Sequence, residues 1–184
     1  MTPTPTTDDS QPLDKGQQSA WYADRKLILV GVRFGLIYTA FMLIISFVTN
    51  RNGWAGLASL TATSAHGLIV FSGLSCSLDG IYLNLANRTL VIDLACTAIF
   101  IMAVYVALVL AYPVSWRMRL LGIVVGLPVV FVFNLVRIAG AAYASVYASA
   151  YFTFIHDYVF EVFMVLVLLI VWVAWLSFVR NHAR

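Results

Sequence analysis

Four runs of roughly twenty apolar residues each leave this chain no water-soluble way to fold. They are LILVGVRFGLIYTAFMLIISFV (27–48), LACTAIFIMAVYVALVLAY (94–112), LLGIVVGLPVVFVFNLVRIAGAA (120–142) and YVFEVFMVLVLLIVWVAWLSF (158–178). A helix crosses a bilayer with about 20 such residues, and no run holds more than a single charged side chain. Charged residues make up 10% of the chain and hydrophobic ones 62%, against about 25% charged in soluble domains. The fold class is therefore an all-α polytopic membrane protein. A net charge of +3, scattered along the chain, excludes a nucleic-acid partner and reports loop asymmetry instead.

Around these runs the chain divides simply. Residues 1–26 are rich in Thr, Pro, Asp and Gln, too polar to offset the entropy of ordering, and are expected to form a disordered cytoplasmic tail. No short basic region leads an early apolar core, so the tail does not read as a signal peptide. Residues 27–180 form the membrane domain. The stretch WAGLASLTATSAHGLIVFSGL (54–74) is long enough to cross but polar, and positive charge arbitrates. Arg25 and Lys26 put the start of the first span in the cytoplasm. Arg117, Arg119, Arg180 and Arg184 join them only if 54–74 stays out of the membrane. The expectation is four spans, both termini inside, and residues 49–93 outside, with 54–74 as an interfacial helix. Alternation of Ile81, Leu83 and Leu85 with Tyr82, Asn84 and Ala86 predicts a small β-hairpin over 80–93, turning at Asn87-Arg88.

That topology brings three polar side chains to one membrane face. Cys96 opens the second span. Arg137 lies about 26 Å along the third, at 1.5 Å per residue from Leu120, and so near the outer boundary. His156 directly precedes the fourth. Each has a bland alternative: packing for the cysteine, snorkelling for the arginine, a loop position for the histidine. Asn134 stands one turn before Arg137, and Gly140, Ala141 and Ala144 share its side, which marks a protein-facing surface. Asp93 is placed to cap the second span, putting Cys96 at its third residue, where free amides and the dipole favour a thiolate. Asp93's charge and apolar burial oppose this, but with Arg137 near, the thiol is expected to titrate below about 8.5. Asp157 adjoins His156 and is a candidate to orient it. His66, in the interfacial stretch, and His182, in the cytoplasmic tail, are weaker candidates. Cys76 and Cys96 have no C-x-x-C or zinc spacing, so no metal or other cofactor is expected. A Cys76–Cys96 disulfide is the alternative in an oxidising compartment.

The series DLACTAI, then NLVRI, then a histidine opening the last span resembles the exosortase/archaeosortase family over about residues 27–180. The resemblance implies a Cys–Arg–His triad, here Cys96, Arg137 and His156, on the extracytoplasmic side of the cell inner (plasma) membrane. The implied activity is cysteine transpeptidation or proteolysis through a thioester. The implied partners are membrane-anchored proteins whose C-terminal signal comprises a short motif, a membrane helix and a basic tail. Many members carry glycine after the Cys-Ser/Thr pair, where this chain has Ala98, and many have more spans, so this chain resembles the shorter forms. Two other readings stand beside this one. Asp93 and Asp157 could serve as an aspartyl protease dyad sharing a proton. Alternatively the chain is a non-enzymatic scaffold or transporter subunit with Arg137 paired to Glu161 or Asp157. A serine protease fits poorly, since GLSCS lacks the Gly-x-Ser-x-Gly context.

Overall fold

Apolar helices account for most of the structure, a computed structural model that describes residues 15–51 and 53–182. Helix α1 (Lys15–Thr49) is followed by α2 (Ala55–Phe71), the strands β1 (Ser77–Asp79), β2 (Tyr82–Asn84) and β3 (Thr89–Val91), then α3 (Ile99–Ala111) and α4 (Trp116–Tyr147). The chain ends in one continuous apolar rod, Ser149–His182. This rod opens with a 3-10 turn, the short turn α5 (Phe152–Phe154) and a π-helical turn (Ile155–Val159) before becoming the long α6 (Phe160–His182).

Among the described residues three segments are long and apolar enough to cross a membrane: Arg25–Thr49, Trp116–Tyr147 and Ser149–His182. Helix α3 is shorter than the expected run over 94–112. Its 13 residues rise about 20 Å, less than the roughly 30 Å hydrocarbon core. It occupies the centre of the bundle, against α1, α4 and α6, with Ala103, Tyr105, Ala107 and Val109 buried. The disorder expected over 1–26 is corrected in part. Helix α1 reaches back to Lys15, because the Gln, Ala and Arg residues beyond Pro12 continue the apolar run helically; residues 1–14 lie outside the described residues. Helix α2 matches the polar stretch 54–74 and is 17 residues long.

Between lipid tails, close packing rather than hydrophobicity joins helices. Gly122 and Gly126 provide it here. A methyl on Gly126 would overlap the Tyr105 hydroxyl, and one on Gly122 would overlap the Trp175 indole. Each ring fills the notch its glycine leaves, and each also caps a backbone carbonyl of α4: Tyr105 Oη donates to Gly122 O (2.9 Å) and Trp175 Nε1 to Met118 O (3.0 Å).

At the other end of the bundle the hairpin expected over 80–93 is part of a larger element. The three strands form an antiparallel meander in the order β1-β2-β3. The first turn is at Gly80-Ile81, with Gly80 at φ +60°, a backbone setting glycine adopts freely. The second falls at Ala86-Asn87 rather than Asn87-Arg88, since Leu85 N–H donates to Arg88 O at 2.9 Å. Leu83, Leu85 and Ile92 drop from the sheet onto Ala62, Ala65 and Ile69 of α2 and onto Ile138 and Ala142 of α4. This shared core fixes the sheet against the end of α4 that carries Arg137.

Candidate active site

A cavity of about 320 Å³ lies between β3, the end of α4 and the π-helical turn, and Cys96, Arg137 and His156 all line it. Three separate local structures deliver them. Cys96 sits in a 3-10 turn, Ala95–Thr97, ahead of α3. Arg137 projects from the C-terminal half of α4, with Ile138 and Ala141 beside it in the cavity wall. His156 lies in the π-helical turn, a distortion that recurs at functional sites because it re-aims side chains on a helix.

The position of Cys96 differs from the expected one. Helix α3 begins at Ile99, and Ala98 before it adopts the left-handed conformation, φ 58°, so Cys96 is outside the first helical turn. Asp93 caps the small turn instead, its Oδ1 accepting the Cys96 N–H at 3.0 Å. The thiol donates to Val91 O at 3.8 Å. With no long helix dipole aimed at it, the thiol follows its surroundings. Burial pushes it above the usual thiol range, the Asp93 carboxylate adds to that, and the Arg137 guanidinium pulls only partly back. The expected depressed thiol is thus reversed. Cys76 is also free, as is Cys96, so the alternative disulfide is not formed.

Asn134, 1% exposed, ties the site together. Its Nδ2 donates to the Cys96 carbonyl at 2.8 Å, and its Oδ1 accepts from Arg137 Nε at 3.1 Å. Arg137 thereby keeps its terminal nitrogens for another acceptor. The small face around Arg137 has a structural reason as well: Phe160 packs where a Gly140 methyl would stand. His156 Nδ1 meets Asp157 Oδ1 at 3.0 Å, the contact that adjacency alone left open. An ionised Asp157 accepts from Nδ1–H and leaves Nε2 for proton transfer. The His156 ring also stacks on Phe152 at 5.4 Å, and the Arg88 guanidinium lies 4.2 Å from the other ring centroid. Arg88 and Phe152 were not singled out from the sequence; only the fold brings them to this wall.

The two carboxylates of the alternative dyad line different cavities. Asp93 faces the cavity with Cys96, whereas Asp157 lines a separate groove with Glu161 and Val165. Arg137 meets neither Glu161 nor Asp157 as an ion pair; Asp157 is engaged by His156 instead. His66 contacts Cys76 O at 3.2 Å and His182 contacts Phe178 O at 2.9 Å, both away from the cavity. Among the described residues no group of three or more His, Cys, Asp or Glu is placed to hold a metal ion.

Comparison with known families matches the chain to the family described as transmembrane exosortase, whose model covers residues 21–173. Neither the curated proteins nor the solved structures contain a match to the chain.

Proposed function

The chain belongs to the transmembrane exosortase family, and from that premise we propose that it is a cysteine transpeptidase or peptidase acting on C-terminal sorting signals. The convergence of Cys96, Arg137 and His156 on one cavity carries this reading. The membrane face is the extracytoplasmic side of the inner membrane. The substrates are exported proteins held there by a C-terminal motif, helix and basic tail.

The chemistry starts from a protonated thiol, because burial and Asp93 favour that form. As substrate binds, the Cys96 proton passes to His156 Nε2 and the sulfur attacks the peptide carbonyl carbon. Arg137 stabilises first the thiolate and then the oxyanion through its terminal nitrogens. A positioned donor of this kind is worth about 2.7–4 kcal/mol. His156, held by Asp157, returns the proton to the leaving amine as the C–N bond breaks. The product is a thioester, which water or an acceptor nucleophile resolves, restoring the thiol.

The test is made in the host cell. With Cys96→Ala replacing the native chain, exported proteins bearing the three-part signal should keep it, as read by intact-protein mass. Normal removal of the signal in that strain overturns the reading.

A further inference from the structure

Strand β3 borders the cavity along its whole length, Thr89, Leu90 and Val91, and Ile92 and Asp93 after it continue the wall. It is also the last strand of its sheet, paired to β2 on one side. The register is Tyr82 with Val91, Leu83 with Leu90 and Asn84 with Thr89. Ile92 N–H donates to Ile81 O, and Leu85 N–H donates to Arg88 O, each at 2.9 Å. Hydrogen-bonded and non-bonded pairs alternate along an antiparallel ladder. Residues 88, 90 and 92 therefore spend their backbone groups on β2. Thr89 and Val91 turn theirs the other way, to the cavity. The sulfur contact agrees, since the Val91 carbonyl is the one that Cys96 Sγ reaches.

We infer that the free edge of β3 receives the substrate as an added strand, an extended peptide paired through the backbone of Thr89 and Val91 and so laid beside Cys96. This rests on the reading of Cys96 as a nucleophile toward a peptide. Strand addition draws affinity from main-chain bonds and leaves alternate side chains to select sequence. It also has a consequence for the thiol. A peptide N–H is a stronger donor than S–H, so docking displaces the thiol from Val91 O and releases its proton toward His156. Exposed edges otherwise invite unwanted pairing; here the edge is short and recessed in a cavity with Arg88 and Phe152 at its wall.

The test uses the full chain in lipid nanodiscs, with Cys76→Ser so that Cys96 alone reports. The probe is acetyl-Ala-Ala-Ala chloromethyl ketone, whose methylene forms a bond to sulfur as chloride leaves, compared with forms N-methylated at one amide each. Methylation at alternate amides should slow alkylation roughly threefold to tenfold, the equivalent of one lost hydrogen bond, and methylation between them should not. Val91→Pro removes only an outward N–H, at an edge position that tolerates proline. It should slow alkylation by all the peptides alike, again about threefold to tenfold, and leave the alternation, which is read through the Thr89 and Val91 carbonyls. In a Cys96→Ala chain, saturating acetyl-Ala-Ala-Ala-amide should slow hydrogen exchange at Thr89 and Val91. Labelling of Cys96 by chloroacetamide with no alternation among the peptides overturns the strand addition and leaves the nucleophile standing. Protected Thr89 and Val91 amides with a Cys96 inert to both reagents uphold the strand addition and overturn the nucleophile.

Discussion

Asn134 joins Arg137 to the backbone of Cys96, accepting from the guanidinium Nε at 3.1 Å and donating to the cysteine carbonyl at 2.8 Å. Asn134 and Cys96 stand 38 apart in sequence, so this amide is a direct link between the turn bearing the sulfur and the helix bearing the cation. Asn134→Ala should lower kcat about 10- to 100-fold with a smaller change in KM, because orientation is lost while the cavity walls remain. It should also cost about 1–3 kcal/mol of stability, the penalty for orphaned buried polar groups. Asn134→Asp keeps the acceptor for Arg137 but loses the donor for the Cys96 carbonyl, and should recover neither. Steady-state kinetics with a processed reporter, alongside thermal unfolding, checks both effects.

Arg137→Lys should lose most activity although the charge survives. With Nε given to Asn134, a guanidinium still offers a planar pair of nitrogens, whereas an ammonium is a single point that cannot serve Asn134 and an oxyanion together. The expected loss is about 100-fold in kcat, in line with removal of an oxyanion donor. Near-normal processing by the lysine variant would reduce Arg137 to a structural ion.

The Cys96 thiol should titrate above the usual thiol range in the substrate-free chain, raised by burial first and by Asp93 second. A raised thiol pKa means a neutral group at pH 7 and a reaction rate that climbs with rising pH. Asp93→Asn should move the alkylation profile to lower pH, since it removes a like charge from the thiolate. Arg137→Ala should move it to higher pH, since it removes the stabilising cation. The rates are measured with a membrane-permeant alkylating reagent in a Cys76→Ser background. Opposite shifts, or none, would contradict the electrostatics of the site.

Ala98 stands in the left-handed region at φ 58° and is buried. For a residue with a Cβ that region costs roughly 1–2 kcal/mol, which accounts for the glycine many family members carry after the cysteine pair. Ala98→Gly trades this relief against one lost methyl and a floppier unfolded chain. It should therefore change stability by less than about 1 kcal/mol and leave activity intact. The same change at Ala107, helical and fully buried in α3, has no strain to relieve and should cost about 1.5–2 kcal/mol. Thermal unfolding of the two variants in one detergent separates them.

The spans around 27–48, 120–142 and 158–178 were legible because twenty apolar residues in lipid have one cheap structure, a helix with every backbone group satisfied internally. Cys96, Arg137 and His156 were legible as a set because their depth follows from counting residues along such helices. What escaped has a common physical cause. The break at Ala98 lies inside an unbroken apolar run, where no glycine or proline marks a stop. Strand β1 is three residues long, with only Gly80 after it to signal a turn. The π-helical turn at His156 and the stacking of Arg88, Phe152 and His156 depend on how the last helix meets the sheet. The notches at Gly122 and Gly126 are visible as spacing, but Tyr105 and Trp175 that fill them come from other helices.

Topology is the last expectation, and α4 decides it. Trp116 and Arg137 stand on one continuous helix, 21 residues apart and hence about 32 Å along its axis. That span matches the roughly 30 Å hydrocarbon core, so the two residues are expected at opposite faces of the membrane. Arg117 and Arg119 flank Trp116, and basic residues in short loops favour the cytoplasm. In a chain without Cys76 and Cys96, Trp116→Cys should resist an impermeant maleimide in intact cells and react once the cells are opened. Asn87→Cys, in the exposed turn of the sheet beside the cavity, should react in intact cells. The reverse pattern would turn the cavity to the cytoplasm, away from the exported tails proposed as substrates. With the cavity on that side, the proposed reaction would lose its substrate even if every side chain in it were reactive.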